Sequence, residues 1–348
     1  MFDLIRVFAI FIILFHHLPG YCFNFYDLRW LGIDADWSML NEMNRYFGLG
    51  LFVFTSGYLL NLKKQTFPDW RVARSFFLKK LLRILPLYCI ALILFCFMYN
   101  MNEPIKIIIH ILGLQLILRS ESFSPMWTLW FIGMIIPYYA LFILLKINTV
   151  SRFYKALFLI SWPIVILEMG LLFDLTDLRL ALYYGIFFFG IYCAETDLLK
   201  RIKRASLLAF SLVLAFCLIL YGNYDFLRLP FESIRTFLQI NALMLCFILA
   251  IYAIFSYLTE HIKDGRVIEL IAYSSYGAYL FHRPVWYVLE KLLSRLDVGS
   301  VYIDALILIG IGIPLIMLIS NILQTLYDRY CLNPWLSKSL DAQKSAGQ

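Results

Sequence analysis

Arg6, His16 and His17 all lie in the apolar run that opens the chain, Asp3-Leu-Ile-Arg6-Val-Phe-Ala9 through His16-His17. A guanidinium recognises anions, and an imidazole, with an ordinary pKa of ~6.5, takes or gives a proton near neutrality. Arg6 and His17 are eleven positions apart. On a helix that spacing is ~16 Å along the axis and about three turns, near one face. Ionisable groups inside a membrane helix are costly and by default mark a site or a path. The same residues also read as a basic anchor at one boundary and a hydrated imidazole at the other. The residues alone leave both readings open.

The elements that must hold these groups follow from composition. Hydrophobic residues make up 62% of the 348 positions and charged residues 15%, against about half and about a quarter in soluble proteins. The apolar runs are continuous over ~16–24 residues, the length of spanning helices rather than of alternating barrel strands. Inside lipid every backbone polar group must bond within its own segment, which leaves helices. The expected fold is an all-α, polytopic membrane helix bundle of about ten transmembrane helices, with both termini cytoplasmic. Spans are expected near 4–21, 46–62, 84–100, 127–146, 156–173, 180–195, 205–221, 236–257, 268–290 and 302–326. The stretch Ile105–Leu118 is shorter and carries Lys106, His110 and Gln115, so it is expected to be interfacial or re-entrant.

Charge tests that count. With ten spans, most of the 30 basic residues fall inside: Arg6, the cluster from Lys63 to Arg83, Lys146 to Lys155, Lys200 to Arg204, Lys263, Arg266, Arg329, Lys338 and Lys344. Asp27, Asp34, Asp36 and Glu42 fall outside. This matches the positive-inside rule, and counting Ile105–Leu118 as a span would break it. The net charge of +7 therefore reads as topology and not as affinity for nucleic acid. The seven cysteines are scattered without a CxxC pair, which argues against a disulfide framework and a zinc site, and no metal site is expected. The first segment lacks a basic n-region and a small-x-small site, so it is expected to remain as a helix. Glu168, isolated in the 156–173 span, is expected to have a partner or a water-filled cavity. No phosphate-binding glycine loop, HExxH or GxSxG is present.

Several segments, in order, resemble one family. Asp3-x-x-Arg6-x-x-Ala9 with His17 at the eleventh position after the arginine resembles the opening helix of the acyltransferase-3 family. Phe47-Gly-Leu-Gly-Leu-Phe52-Val-Phe-Thr-Ser56-Gly57-Tyr58 is similar to its second-helix pattern. Lys79-Lys80-Leu-Leu-Arg83-Ile-Leu-Pro86-Leu-Tyr88, Trp127-Thr-Leu-Trp130-Phe131 and Ser275-Tyr276-Gly277-Ala-Tyr279-Leu-Phe-His282-Arg283-Pro284 resemble three further landmarks. Each motif is weak alone; their shared order over residues 3–284 is specific.

The resemblance implies an acyltransferase-3-like transmembrane domain over 1–330 and a short polar cytoplasmic tail over 331–348. It implies an enzyme of the plasma membrane that moves an acetyl or other short acyl group from cytoplasmic acyl-CoA to a hydroxyl of an extracytoplasmic or lipid-linked surface glycan. Acyl-CoA would be a donor substrate, with no cofactor held tightly. His17 would be catalytic, as general base or as acyl carrier. Arg6, Lys79, Lys80 and Arg83 would meet the donor's phosphates, and His16, Trp130, Tyr279, His282 and Arg283 the acceptor. Two departures stand out. Lys80 replaces the usual first arginine of an Arg-x-x-Arg pair, which keeps the charge and loses the bidentate fork. Trp130-Phe-Ile-Gly lacks the acidic residue of some members, and the hydrolase-like domain fused to others is not expected. The rival readings are a permease without acyl chemistry, for which no paired broken helices are visible, and an inactive subunit of an envelope-synthesis complex.

Overall fold

A computed structural model describes residues 1–35, 37–119, 124–221, 234–261, 265–296 and 300–335. Asp36, Lys263, Lys338 and Lys344, used in the charge argument, lie outside these, as does the expected tail beyond 335. Among the described residues the long regular elements are helices: α1 Phe2–His17, α2 Ser38–Leu60, α3 Trp70–Met98, α4 Pro104–Ile111, α5 Trp130–Lys146, α6 Arg152–Phe173 and α7 Arg179–Leu182. There follow α8 Tyr184–Thr196, α9 Leu198–Arg201, α10 Arg204–Tyr221, α11 Ile234–His261, α12 Arg266–Leu296, α13 Val301–Ile307 and α14 Ile313–Tyr327. A π-helical turn, Leu308–Gly312, joins α13 to α14. Five helical segments are long and apolar enough to cross a membrane: Phe2–Gly20, Trp70–Met98, Arg152–Phe173, Ile234–His261 and Val301–Trp335. The other expected spans also fall on helix, although 180–195 is broken at Tyr183 between α7 and α8.

The chain forms two compact units. Unit 1 comprises Met1–Gln65, Leu178–Ser275 and Leu289–Ile313; unit 2 comprises Thr66–Asp177, Tyr276–Val288 and the chain from Pro314.

In unit 1, α2 lies backbone to backbone against α8. A Cβ on Gly57 would strike the carbonyl of Phe187, and one on Gly190 the carbonyl of Phe54. Small residues let membrane helices approach this closely. Polar side chains fasten the ends of the same pair. Asn61 Nδ2 donates to Ile191 O at 3.0 Å and to Glu195 Oε2 at 2.8 Å. Asp197 then accepts from Lys64 at 2.6 Å and Lys200 at 2.8 Å, bonds that pull its carboxyl down to about 2. α1 packs its buried Ile5, Ala9, Ile13 and Leu14 inward. Phe8 meets Phe255 of α11 edge-on.

In unit 2, α3 starts where the Asp69 carboxylate accepts from Val72 N, an N-cap. Pro86 interrupts its hydrogen-bond ladder, because proline has no N–H to give the carbonyl four residues back. That carbonyl, Leu82 O, accepts instead from Tyr327 Oη at 2.5 Å. Ile84 O, two residues before the proline, accepts from Tyr276 Oη at 2.8 Å. The motif's proline thus frees Leu82 O, which a tyrosine from elsewhere in the unit satisfies, as an apolar surrounding requires.

α4 has eight residues, ~12 Å of helix, too short to cross. Its neighbours hold it by side chains. His110 Nδ1 donates to Lys106 O at 2.7 Å, while Nε2 accepts from Met126 N at 3.0 Å. Tyr88 Oη donates to His110 O at 2.9 Å, and Gln115 Nε2 to Leu129 O at 3.2 Å. Both His110 nitrogens are therefore used in the neutral ring, and burial lowers its pKa from the ordinary value. Glu168 departs from expectation. α6 fully buries Ile166 alone; Glu168 is exposed on its surface, with no ion pair among the described residues.

Two predictions follow from unit 2. Tyr327→Phe leaves Leu82 O without its donor and should cost ~1–3 kcal/mol in thermal unfolding in detergent. Because Pro86→Ala restores an N–H to that carbonyl, the same change in a Pro86→Ala background should cost measurably less; equal costs in the two backgrounds would refute the link. His110 is neutral when folded, so below ~6.5 the unfolded chain binds the extra proton and stability falls with pH. Wild type should lose melting temperature faster than His110→Gln between ~pH 7 and ~pH 5.5. Parallel curves would contradict this.

Candidate active site

α1 sets the first part of the site. Its Asp3 lies in the first turn, the helix end that favours negative charge, and His16 and His17 lie in the last. Arg6 Nη1 lies 3.8 Å from Asp3 Oδ1, one turn back. Its Nη2 donates at 3.2 Å to Ser275 Oγ, a residue 269 positions further on. The Ser275 hydroxyl spends its own proton on Ala272 O at 2.7 Å, so a lone pair faces the guanidinium. The first motif and Ser275, the opening residue of the last, are thereby joined inside unit 1.

At the other end of α1 the two imidazoles lie together, ring centroids 4.5 Å apart at 56°. His16 Nδ1 is 2.9 Å from Asn41 O and 3.0 Å from Asn41 Oδ1. The next turn of α2 adds the Glu42–Arg45 ion pair at 2.7 Å. Arg45 Nη2 also donates to Tyr46 Oη at 3.1 Å. From the loop between α1 and α2, Tyr26 Oη accepts from Asn44 at 2.9 Å and reaches Phe15 O at 3.5 Å. Burial raises the Tyr26 pKa, so it stays a neutral hydroxyl. Unit 1 therefore surrounds the histidine pair with polar groups that a lipid-facing helix end would not need.

The remaining expected site residues belong to unit 2. Lys79 and Lys80 are half-buried and Arg83 exposed on α3. Spacings of three and four residues put all three on one face. Lys80 Nζ sits 5.2 Å from the Phe76 ring centroid, a cation–π contact that lends packing but no second donor direction.

Tyr279 and Arg283, on α12, are one turn apart. Tyr279 Oη donates to Thr128 O, and its ring lies 5.2 Å from Phe131. Arg283, 9% exposed, stacks 4.6 Å over Trp127, which also lies parallel to Tyr99. His282 is fully buried, with Nδ1 at 2.8 Å from Tyr279 O. Trp130 is 7% exposed whereas Trp127 is 60% exposed. Of the two tryptophans, Trp127 presents the larger open surface, and the acceptor expectation had rested on Trp130.

The structure thus brings Arg6, His16 and His17 into unit 1 on one helix, and Lys79, Lys80, Arg83, Trp130, Tyr279, His282 and Arg283 into unit 2. Asn41 and the Glu42–Arg45 pair were not anticipated. They belong to no motif, and only the contact between α1 and α2 reveals them.

A helical membrane architecture with an arginine and a histidine pair on its first helix defines a class. Its family is shown by direct comparison: the chain belongs to the acyltransferase-3 family, whose acyltransferase domain matches residues 2–324. It is accordingly a membrane acyltransferase. No curated protein and no solved structure matches the chain.

Proposed function

We propose that this chain is a multi-pass O-acyltransferase of the plasma membrane, with about ten spans and both termini cytoplasmic. It takes acetyl or another short acyl group from cytoplasmic acyl-CoA to a hydroxyl of an extracytoplasmic or lipid-linked surface glycan. The observation that carries the reading is α1 itself: Arg6, held by Ser275, and His17, eleven residues on, occupy opposite ends of one apolar helix. A reaction that begins with a cytoplasmic donor and ends on an outer acceptor needs charge at one face and a proton-transfer group toward the other.

In this reading Lys79, Lys80 and Arg83, with Arg6, are the cations for the donor's phosphates. His17 carries the chemistry, either by taking a proton from the acceptor or by receiving the acyl group. Tyr279, Trp130, His282 and Arg283 serve the acceptor through the unit that α12 and α5 build. Arg283 stacks on Trp127 in that unit, a flat aromatic–guanidinium surface of the kind that suits a sugar face. The domain takes up 1–330, and 331–348 is a cytoplasmic tail.

His17→Ala at normal membrane abundance should lower acylation of the envelope glycan ~100-fold or more, read by mass spectrometry of the polysaccharide. Retained acylation would remove His17 from the reaction. Replacing Lys79, Lys80 and Arg83 together by alanine should raise the apparent KM for acetyl-CoA ~10-fold or more with a smaller change in kcat, because the lost contacts bind ground and transition states alike. An unchanged KM would exclude these cations from donor binding.

A further inference from the structure

The spacing that singles out His17 leaves the ring beside it outside the motif, yet His16 is held by Asn41 of α2. Its Nδ1 lies within hydrogen-bond distance of both the backbone and side-chain oxygens of Asn41. A peptide carbonyl oxygen can only accept, so Nδ1 must carry a hydrogen. In the neutral ring the lone pair is then on Nε2. A base whose far nitrogen is pinned by a second group is the general arrangement of an activated imidazole.

The geometry points to His16 Nε2 as the atom that takes the proton from the acceptor hydroxyl, with Asn41 as its positioning residue. This rests on the acyltransferase reading above and divides the labour within it, leaving His17, 4.5 Å away ring to ring, to engage the acyl group. The step balances. The acceptor O–H breaks and its proton passes to Nε2 while the oxygen forms the new ester bond to the acyl carbon. The bond from that carbon to its carrier breaks, the carrier leaves with the electron pair, and His16 returns the proton to it.

Charged and titratable groups among the described residues lie near His16. Glu42 and Arg45 come from α2, ion-paired to each other. His17 comes from its own helix, and Tyr26 from the loop that closes over Phe15. Asn41 is the residue at hydrogen-bond distance from Nδ1, so a change at Asn41 acts on His16 directly.

The test uses the full chain in inverted membrane vesicles, with [14C]acetyl-CoA as donor and label counted in the vesicles' own glycan fraction. An ionophore keeps pH equal on both faces. Asn41→Asp preserves an acceptor for Nδ1 but places a carboxylate beside the ring, which favours the imidazolium. The acid limb of kcat/KM, normalised to each variant's maximum, should move up by ~1 pH unit. Asn41→Leu should lower transfer ~10-fold or more without moving that limb upward, and His16→Gln should lower it ~100-fold. A merely structural Asn41 would change the amount of active protein and not the limb. An unmoved limb in Asn41→Asp, with transfer abolished in His17→Ala, would overturn the role of His16 while leaving the acyltransferase reading intact. Transfer persisting in His17→Ala, whatever the limb does, would overturn the part of that reading that rests on His17.

Discussion

An ionisable side chain on an apolar helix must find polar company or pay several kcal/mol in desolvation. That constraint organises the whole of α1. Arg6 is met by Asp3 and Ser275, and His16 by both oxygens of Asn41. Each partner comes from a helix that must then be held in place, so the demands of α1 pass outward. α2, which carries Asn41, is fixed to α8 by the close approach at Gly57 and Gly190 and by the Asn61 and Asp197 bonds at its end. α12, which carries Ser275, brings that hydroxyl to Arg6 from a position 269 residues away.

The same rule governs backbone groups in unit 2. Pro86 would leave Leu82 O unpaired in an apolar setting, and Tyr327 supplies the missing donor. The last turn of the short α4 holds His110, whose carbonyl accepts from Tyr88 and whose ring accepts from Met126 N. Polar side chains in this protein are spent first on satisfying the chain's own interruptions. Those remaining near the histidine pair are correspondingly informative.

What was legible in the sequence was whatever repeats at helical or motif spacing. The apolar runs marked the helices, the charge pattern separated Ile105–Leu118 from the spans, and five motifs in order from Asp3 to Pro284 carried the family resemblance. What was not legible depends on pairs distant in sequence. Nothing in Ser38–Asn44 announces that Asn41 will meet His16, 25 positions earlier. Nothing in Tyr327 announces Leu82. Single-residue exposure is equally hidden. Trp130 matched the motif and proved buried, while Trp127, three residues earlier, is open. Glu168 was expected to have a partner or a water-filled cavity and sits exposed on α6, because the apolar periodicity of that helix does not say which face packs.

The central claim is that α1 serves acyl transfer to a surface glycan. Mass spectrometry of envelope polysaccharides from cells with the chain, without it, and with His17→Ala tests it most directly. A glycan heavier by one acyl group in the first case alone is the predicted result. Spectra that are identical in all three would contradict it.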